Sequence, residues 1–414
     1  MKKLSCVAAL IIACAAQAAD WPQYRGPVHD GSSPEKITPW PKDGPKVLWQ
    51  TKLGESFGSW AVAANRAYIM YEKAGKEVCA AFDADKGGSP LWETALGDTI
   101  LERQGGNGPR TTPTIEGDKI YVLGTFLKLA CLNAADGKVV WQRDLATQEG
   151  GRAQLQTAGI QQWGNAASPV IQGNVIHVLG GDKDAAILGI DKKSGNVLWK
   201  VGTEFATHAT PTPATIHGVK QVIHFCKSGL VSVGAEDGKV LWKAPFKWSI
   251  STASSPIVFN DIVYCSAGYG VGSGAFRISK AGNDFSAQQI WRIESNDIAN
   301  HWTTPVCKDG YLYGIYGFKK FGSAPLQCVE IATGKVVWSQ PGFGSGGGTI
   351  LAGDQILVQG DAGPLVLVEA TPKGYVEKAR SQPLGGSKFW TMAVVANGRI
   401  YMRNTKEGAC LNAQ

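Results

Sequence analysis

Methionine is scarce in this 414-residue chain, with 4 against 52 glycines, and no long heptad pattern runs through it. A helical bundle or coiled coil is therefore a poor reading. After the first nineteen residues no stretch approaches the ~20 apolar residues that span a bilayer as a helix. Lys and Arg total 41 against 34 Asp and Glu, for a formal charge of +7, but they are scattered. Without a basic run, a nucleic-acid surface is not expected. There is no adjacent Cys-Cys pair, no C-x-x-C-H haem attachment and no Cys/His zinc spacing. No metal site is expected. Asp83-Ala84-Asp85 has the look of a cation loop but occupies a strand-to-strand turn, where Asp is ordinary turn chemistry. The glycine-rich runs 268–272 and 344–348 lack the strand-to-helix context of a phosphate cradle.

What is present begins with a leader. Lys2 and Lys3 precede an apolar core at residues 4–16, and Ala16-Gln17-Ala18 gives an A-x-A cleavage pattern. Residues 1–19 are thus expected to be a signal peptide that exports the chain to the periplasm or cell envelope. A loose lipobox ending at Cys14 offers a lipid anchor as a minor reading. Loss of Lys2 and Lys3 lowers the formal charge from +7 to +5. The mature chain keeps seven cysteines: Cys79, Cys131, Cys226, Cys265, Cys307, Cys328 and Cys410. Four of them (Cys79, Cys131, Cys328, Cys410) fall at equivalent points of a repeat, which holds them apart, so few or no disulfides are expected.

The glycine excess, nearly twice the usual ~7%, has a pattern. Residues 132–142 (LNAADGKVVWQ), 190–199 (IDKKSGNVLW), 233–242 (VGAEDGKVLW) and 329–338 (VEIATGKVVW) restate one hairpin: strand end, Gly turn, second strand, tryptophan. The glycine supplies the positive φ of a tight turn. The tryptophans Trp49, Trp92, Trp141, Trp199, Trp242, Trp291 and Trp338 recur at spacings of 43, 49, 58, 43, 49 and 47 residues. Upstream of each hairpin lies a second signature, as in 111–122 (TTPTIEGDKIYV), that starts with small or hydroxyl residues and turns at a glycine. Joining the two gives a four-stranded unit, A-B then C-D, at a period near 45 residues. Such a period marks a β-propeller.

Eight such units are present once the ends are joined. The last C strand, near 408–412, has no D strand after it, and Val47 to Gln50 is a D strand with no C strand before it. The expected fold is all-β: an eight-bladed propeller of four-stranded antiparallel blades over residues 47–414, closed by pairing the terminal strands. The tryptophans dock neighbouring blades. An eighth D strand without tryptophan falls near 375–380. Residues 20–46, rich in Pro and Gly, form an irregular lead-in lying on the ring.

The units at 133–141 and 330–338 resemble the pyrroloquinoline-quinone repeat, A-x-[DN]-x-x-[TS]-G-K-x-x-W. The opening DWPQYRGP of residues 20–27 is similar to the leader of exported bacterial propellers of this class. That resemblance covers residues 20–412 and is specific for fold rather than activity. It embraces quinoprotein alcohol dehydrogenases and the cofactor-free periplasmic propeller of outer-membrane protein assembly. The dehydrogenases carry a Cys-Cys pair above the quinone and a cation held by Glu, Asn and Asp, and neither set can be placed here. The repeats thus imply a binding or assembly scaffold, a monomer with a protein or cell-envelope partner and no cofactor. The alternatives are a quinoprotein oxidoreductase of alcohols or sugars, holding pyrroloquinoline quinone with calcium, and a glycan-binding propeller.

A site would lie where the repeats diverge, on the face reached by the D-to-A loops. Aligning A strands puts Arg110, Ala166, His208, Ala253, Trp302, Gly346 and Trp390 in one register. Adjacent loops add Trp60, Trp163, Asn165, Trp248, His301 and Lys388. Arg110 and Lys388 could hold anionic groups, the indoles could stack on a ligand, and His208 or His301 could accept a proton. The same side chains could equally cap the channel by packing among themselves.

Overall fold

A computed structural model describes residues 19–101, 105–150, 163–180, 185–205 and 207–414. The expected leader and the Cys14 anchor lie outside the described residues. Eight sheets of consecutive antiparallel strands form blades 1 to 8. Their inner strands are Ala61–Ala63, Thr114–Glu116, Val170–Gln172, Thr212–Ile216, Ile257–Phe259, Val306–Lys308, Gly348–Ala352 and Val394–Ala396. The middle strands are buried on both faces, as in Ile356 to Val358 and Val366 to Val368, and the outer ones alternate. Blade 8 is closed as expected: Val47–Lys52 pairs antiparallel with Glu407–Asn412, placing Trp49 opposite Cys410. Closure removes the exposed edges that an open sheet would present. The eighth outer strand is Glu377–Ser381, where Ala379 stands opposite Leu367 in the place of a tryptophan.

The repeated hairpin is a joint between blades. The Trp92 indole N–H donates to the Ala134 carbonyl in the next blade's C–D turn at 3.2 Å, and Trp141 to Lys192 likewise at 3.2 Å. Trp49, Trp199, Trp291 and Trp338 do the same to Ala84, Glu236, Ile331 and Thr371. Five of the turn glycines, Gly87, Gly137, Gly195, Gly238 and Gly334, seat the preceding blade's ring. A Cβ on Gly137 would lie 2.5 Å from Trp92, and one on Gly195 2.7 Å from Trp141. Trp242 is the exception, donating to Gln221 of its own blade at 2.6 Å. Blade 5 explains this, because its C–D hairpin, Gly272–Ala281 and Asp284–Ile293, is longer and lifts the turn away.

The hydroxyl signature also joins blades. Backbone N–H groups of Ser59, Thr112 and Ser168 each donate at 3.0 Å to the hydroxyl of Thr112, Ser168 and Thr210 in the following blade. Ser255 does the same to Thr304. These bonds give partners to buried amides that the short inner strands leave unpaired. The seven described cysteines are free, six of them buried. Among the described residues no helix is long and apolar enough to cross a membrane.

The lead-in does more than lie on the ring. Trp21 exchanges two backbone hydrogen bonds with Val62 of blade 1, and the Pro22 carbonyl accepts from Ile115 of blade 2. Three residues later, the Arg25 guanidinium donates to the Thr304 and Pro305 carbonyls of blade 6. Blades 2 and 6 are opposite in a ring of eight, so the chain crosses the channel between Pro22 and Arg25. It then adds Ser32–Ser33 as a fifth, parallel strand on blade 7. Glu35 accepts from the Asn397 and Gly398 amides of blade 8. Arg25 is 2% exposed and two further bonds reach the carbonyls of His29 and Asp30. Burial lowers its pKa, and the carbonyls hold it in the floor of the channel.

Candidate functional site

Above this crossing, the D-to-A face opens into a cavity of about 570 Å³, with Tyr24 of the lead-in among its lining residues. The walls differ in chemistry. Trp302 and Trp390, which enter blades 6 and 8, stack on each other across blade 7 with centroids 5.4 Å apart and planes at 10°. Phe321 lies parallel to both, at 5.5 and 5.3 Å. Blade 7 permits this because it enters through glycines: a Cβ on Gly346 would lie 2.3 Å from Trp390, and one on Gly348 2.7 Å from the Met392 backbone. The glycine run is therefore a seat for the aromatic pile.

The remaining wall is basic. The Arg110 guanidinium donates to the Gly106 and Gly108 carbonyls and sits 5.1 Å from the Phe57 ring centre. Lys319 rests 5.2 Å from the ring centres of Tyr269 and Phe318. The His208 Nδ1 lies 2.6 Å from the Ser251 hydroxyl. Burial, and next the Arg110 charge, push His208 down to about 4, only partly offset by the Gly164 carbonyl. His301 is held at about 3 by burial, His208 and Lys319. Both imidazoles are neutral near pH 7. No Asp or Glu is among the described lining residues.

Of the residues singled out from sequence, Arg110, His208, His301, Trp302 and Trp390 share this cavity, as do Ala166, Ala253 and Trp163. Trp60 does not. It is fully buried between blades 8 and 1 against Trp49, Phe82 and Tyr401, with its N–H on the Met402 carbonyl. The apolar neighbours and a Gly408 without side chain draw the ring inward. Asn165 is turned onto its own loop, bonding both the N–H and the carbonyl of Ala167. Trp248 is buried with its N–H on Cys226. Lys388 buttresses the pile, 5.4 Å from the Trp390 ring centre with its ammonium on the Gly105 carbonyl. Alignment of strands overlooked Tyr24, Phe57, Tyr269, Lys319 and Phe321. The last two had a signal: the GFKKFG run at 317–322 inserts between two strands of blade 6 and has no counterpart in the other hairpins.

The family described as outer membrane protein assembly factor BamB matches residues 32–153 and 74–340. The chain belongs to this family. Among BamB proteins it is 23% identical over 346 residues to that of Yersinia pestis, covering 78% of this chain and 76% of the relative. To the protein of Moranella endobia it is 23% identical over 241 residues, and the match spans 56% of that relative. The crystal structure of BamB from Moraxella catarrhalis superposes with a TM-score of 0.60 at 14% identity, covering 89% of this chain and all of that one. Quinohemoprotein alcohol dehydrogenase from Comamonas testosteroni gives 0.63 at 13% identity, covering 97% and 81%. At such identities the structural likeness shows the propeller fold alone.

The dehydrogenase fold raises the question of a quinone with calcium, and the BamB-type cavity answers it through its donors. Calcium takes 6–8 oxygens, usually including carboxylates. The described lining residues offer none, and no group of three His, Cys, Asp or Glu among the described residues could hold a metal. These residues do not fit that cofactor pair.

Proposed function

We propose that this propeller is an exported, non-catalytic binding scaffold of the bacterial envelope, its specific form being the outer-membrane assembly role for which its BamB relatives are named. The observation carrying the proposal is the cavity: a site built from packed aromatics and fixed cations, floored by the chain's own lead-in. Among the described residues, Ser251 with His208 is the one candidate dyad, without a carboxylate to orient the ring, and an imidazole held at about 4 is a weak base near pH 7. The envelope location is supported by the family and by the leader that the sequence leads one to expect at residues 1–19.

Deleting the gene in its host and measuring folded outer-membrane barrel proteins by heat-modifiable gel mobility tests this reading. Barrel content is expected to fall and to recover when the gene is restored. Unchanged barrel content would overturn the assembly role. Stoichiometric uptake of pyrroloquinoline quinone with calcium, with alcohol-dependent dye reduction, would replace it with the oxidoreductase reading.

A further inference from the structure

We propose that the leader is cut between Ala18 and Ala19, and that the α-ammonium released on Ala19 is the buried counter-ion of Glu35. Glu35 is 3% exposed, and its carboxylate collects three backbone N–H groups. Asn397 and Gly398 donate from 2.6 and 2.7 Å, and Ala19 donates from 2.9 Å. The first two belong to the two-residue turn between Val394–Ala396 and Arg399–Arg403, where φ is 54° and 72°. All three donors are uncharged amides, and among the described residues no Lys, Arg or His forms an ion pair with Glu35.

A carboxylate withdrawn from water ordinarily faces an opposite charge. Ala19 is where one can be made. The A-x-A pattern of Ala16-Gln17-Ala18 directs the cut to the bond after Ala18, and the nitrogen of that bond is the one on Glu35. A sequence pattern read by a peptidase and a hydrogen bond of the fold thus fall on one atom. In the cut, a leader peptidase adds one water across the bond. The Ala18 carbonyl carbon takes the hydroxyl and ends as a carboxylate on the leader. The Ala19 nitrogen keeps the electron pair of the broken C–N bond and takes both of the water's protons. It is then an ammonium, since an α-amine ordinarily titrates at about 7.7–8.0.

The surroundings hold Ala19 in place on the blade that closes the ring. Its carbonyl accepts from Asn397 at 3.2 Å, and Asp20 accepts from the Asn397 side chain at 2.9 Å and from Ala64 of blade 1 at 3.3 Å. On the other side of the turn Ala413 donates to the Gly398 carbonyl, and Thr38 of the lead-in donates to the Ala413 carbonyl. The lead-in, the end of the last strand and Ala19 therefore meet at one turn of blade 8. In an uncut chain, or one anchored at Cys14, the Ala19 nitrogen is a neutral amide and Glu35 keeps its charge uncompensated. A cut one bond later, after Ala19, removes the donor altogether. Leader removal at Ala18 thus tightens the seam of the ring.

This rests on the export reading above. The test starts from the protein recovered from its host, whose mass and first residues should show a chain beginning at Ala19. A pyridinecarboxaldehyde that marks only α-amines then probes the native protein, because an ammonium held by a carboxylate does not attack an aldehyde. Native Ala19 should be marked at least about tenfold more slowly than in urea, and Glu35→Gln should bring native marking within about twofold of the unfolded rate. Should Glu35→Gln not fold, a chain with one glycine ahead of Ala19 tests the same contact, since it moves the amine by ~3.8 Å and changes no side chain. Its urea midpoint should fall and its amine should be marked freely. A first residue other than Ala19, lipid on Cys14 included, would overturn the proposal. So would native marking as fast as in urea, slow marking that survives Glu35→Gln, or an extended chain with an unchanged midpoint. A chain starting at Ala19 with a freely marked amine leaves the export reading intact, whereas a chain retaining residues 1–18 removes both.

Discussion

Gly137 and Gly117 offer a matched pair for asking whether the repeated turn glycine is needed for its backbone or for its neighbour. Both belong to blade 2 and both have positive φ, +73° and +60°. An alanine forced into that region costs roughly 1–2 kcal/mol. Around Gly117 a new Cβ meets nothing within 4 Å, so Gly117→Ala should lose that amount and no more. At Gly137 the same Cβ would stand 2.5 Å from the Trp92 ring and 2.6 Å from the Thr94 hydroxyl. Overpacking of this kind adds typically 1–3 kcal/mol, bringing Gly137→Ala to roughly 2–5 kcal/mol. Urea unfolding followed by tryptophan emission measures the difference between the two variants. Putting Gly137→Ala into a Trp92→Ala background should return the part of the excess owed to the ring, leaving the contact with the Thr94 hydroxyl. Equal losses at the two glycines, or no recovery without Trp92, would refute the idea that the ring is seated on the turn.

Glu77, 2% exposed with both carboxyl oxygens bonded to Thr125, is raised by burial to about 7. The folded state therefore holds its proton more tightly than the unfolded chain. Its stabilising contribution is complete below about pH 4.5 and is lost as pH rises through 7, in all about 3 kcal/mol. The difference between wild-type and Glu77→Gln stability curves should show that slope, and a flat difference would contradict it. Arg25→Ala leaves the Pro305 carbonyl without its donor, at ~1–3 kcal/mol, and the Thr304 carbonyl with a long 3.5 Å bond from the Thr349 hydroxyl. Limited proteolysis should then cut the lead-in before the blades, and an unaltered digest would count against the crossing. Thiol titration of the mature protein, denatured without reductant, should find the seven free cysteines; five would reveal a disulfide.

The blades were legible because tryptophan and glycine recur in fixed register, and even the blade without tryptophan was located by its place in the count. The basic and aromatic residues of the A strands were legible for the same reason, since a register projects Arg110, His208, Trp302 and Trp390 to one end of the ring. The path of residues 20–46 was not legible. It has no periodicity, and what fixes it is a long-range bond set between Arg25 and carbonyls about 280 residues away. Trp60 shows the other limit. Its position before a strand is equivalent to the loop aromatics, but its burial depends on Gly408 from the far end of the chain.

The pairing of Val47–Lys52 with Glu407–Asn412 has a bearing on how the molecule is made. The first outer strand to be synthesised has no sheet to join until the last strand arrives. Blades 1 to 7 can form from local hairpins, but the ring itself is a contact between opposite ends of the sequence, the slowest kind to establish. Until then two blade edges face solvent and can pair with other chains. Linking Gln414 to Ala19, which lie beside Gly398 and Asn397, and opening the chain at the exposed Gly282 turn of blade 5 would keep the lead-in and shift the late step to a different seam. Refolding of such a permutant would then be limited there, while the native ring remained the same.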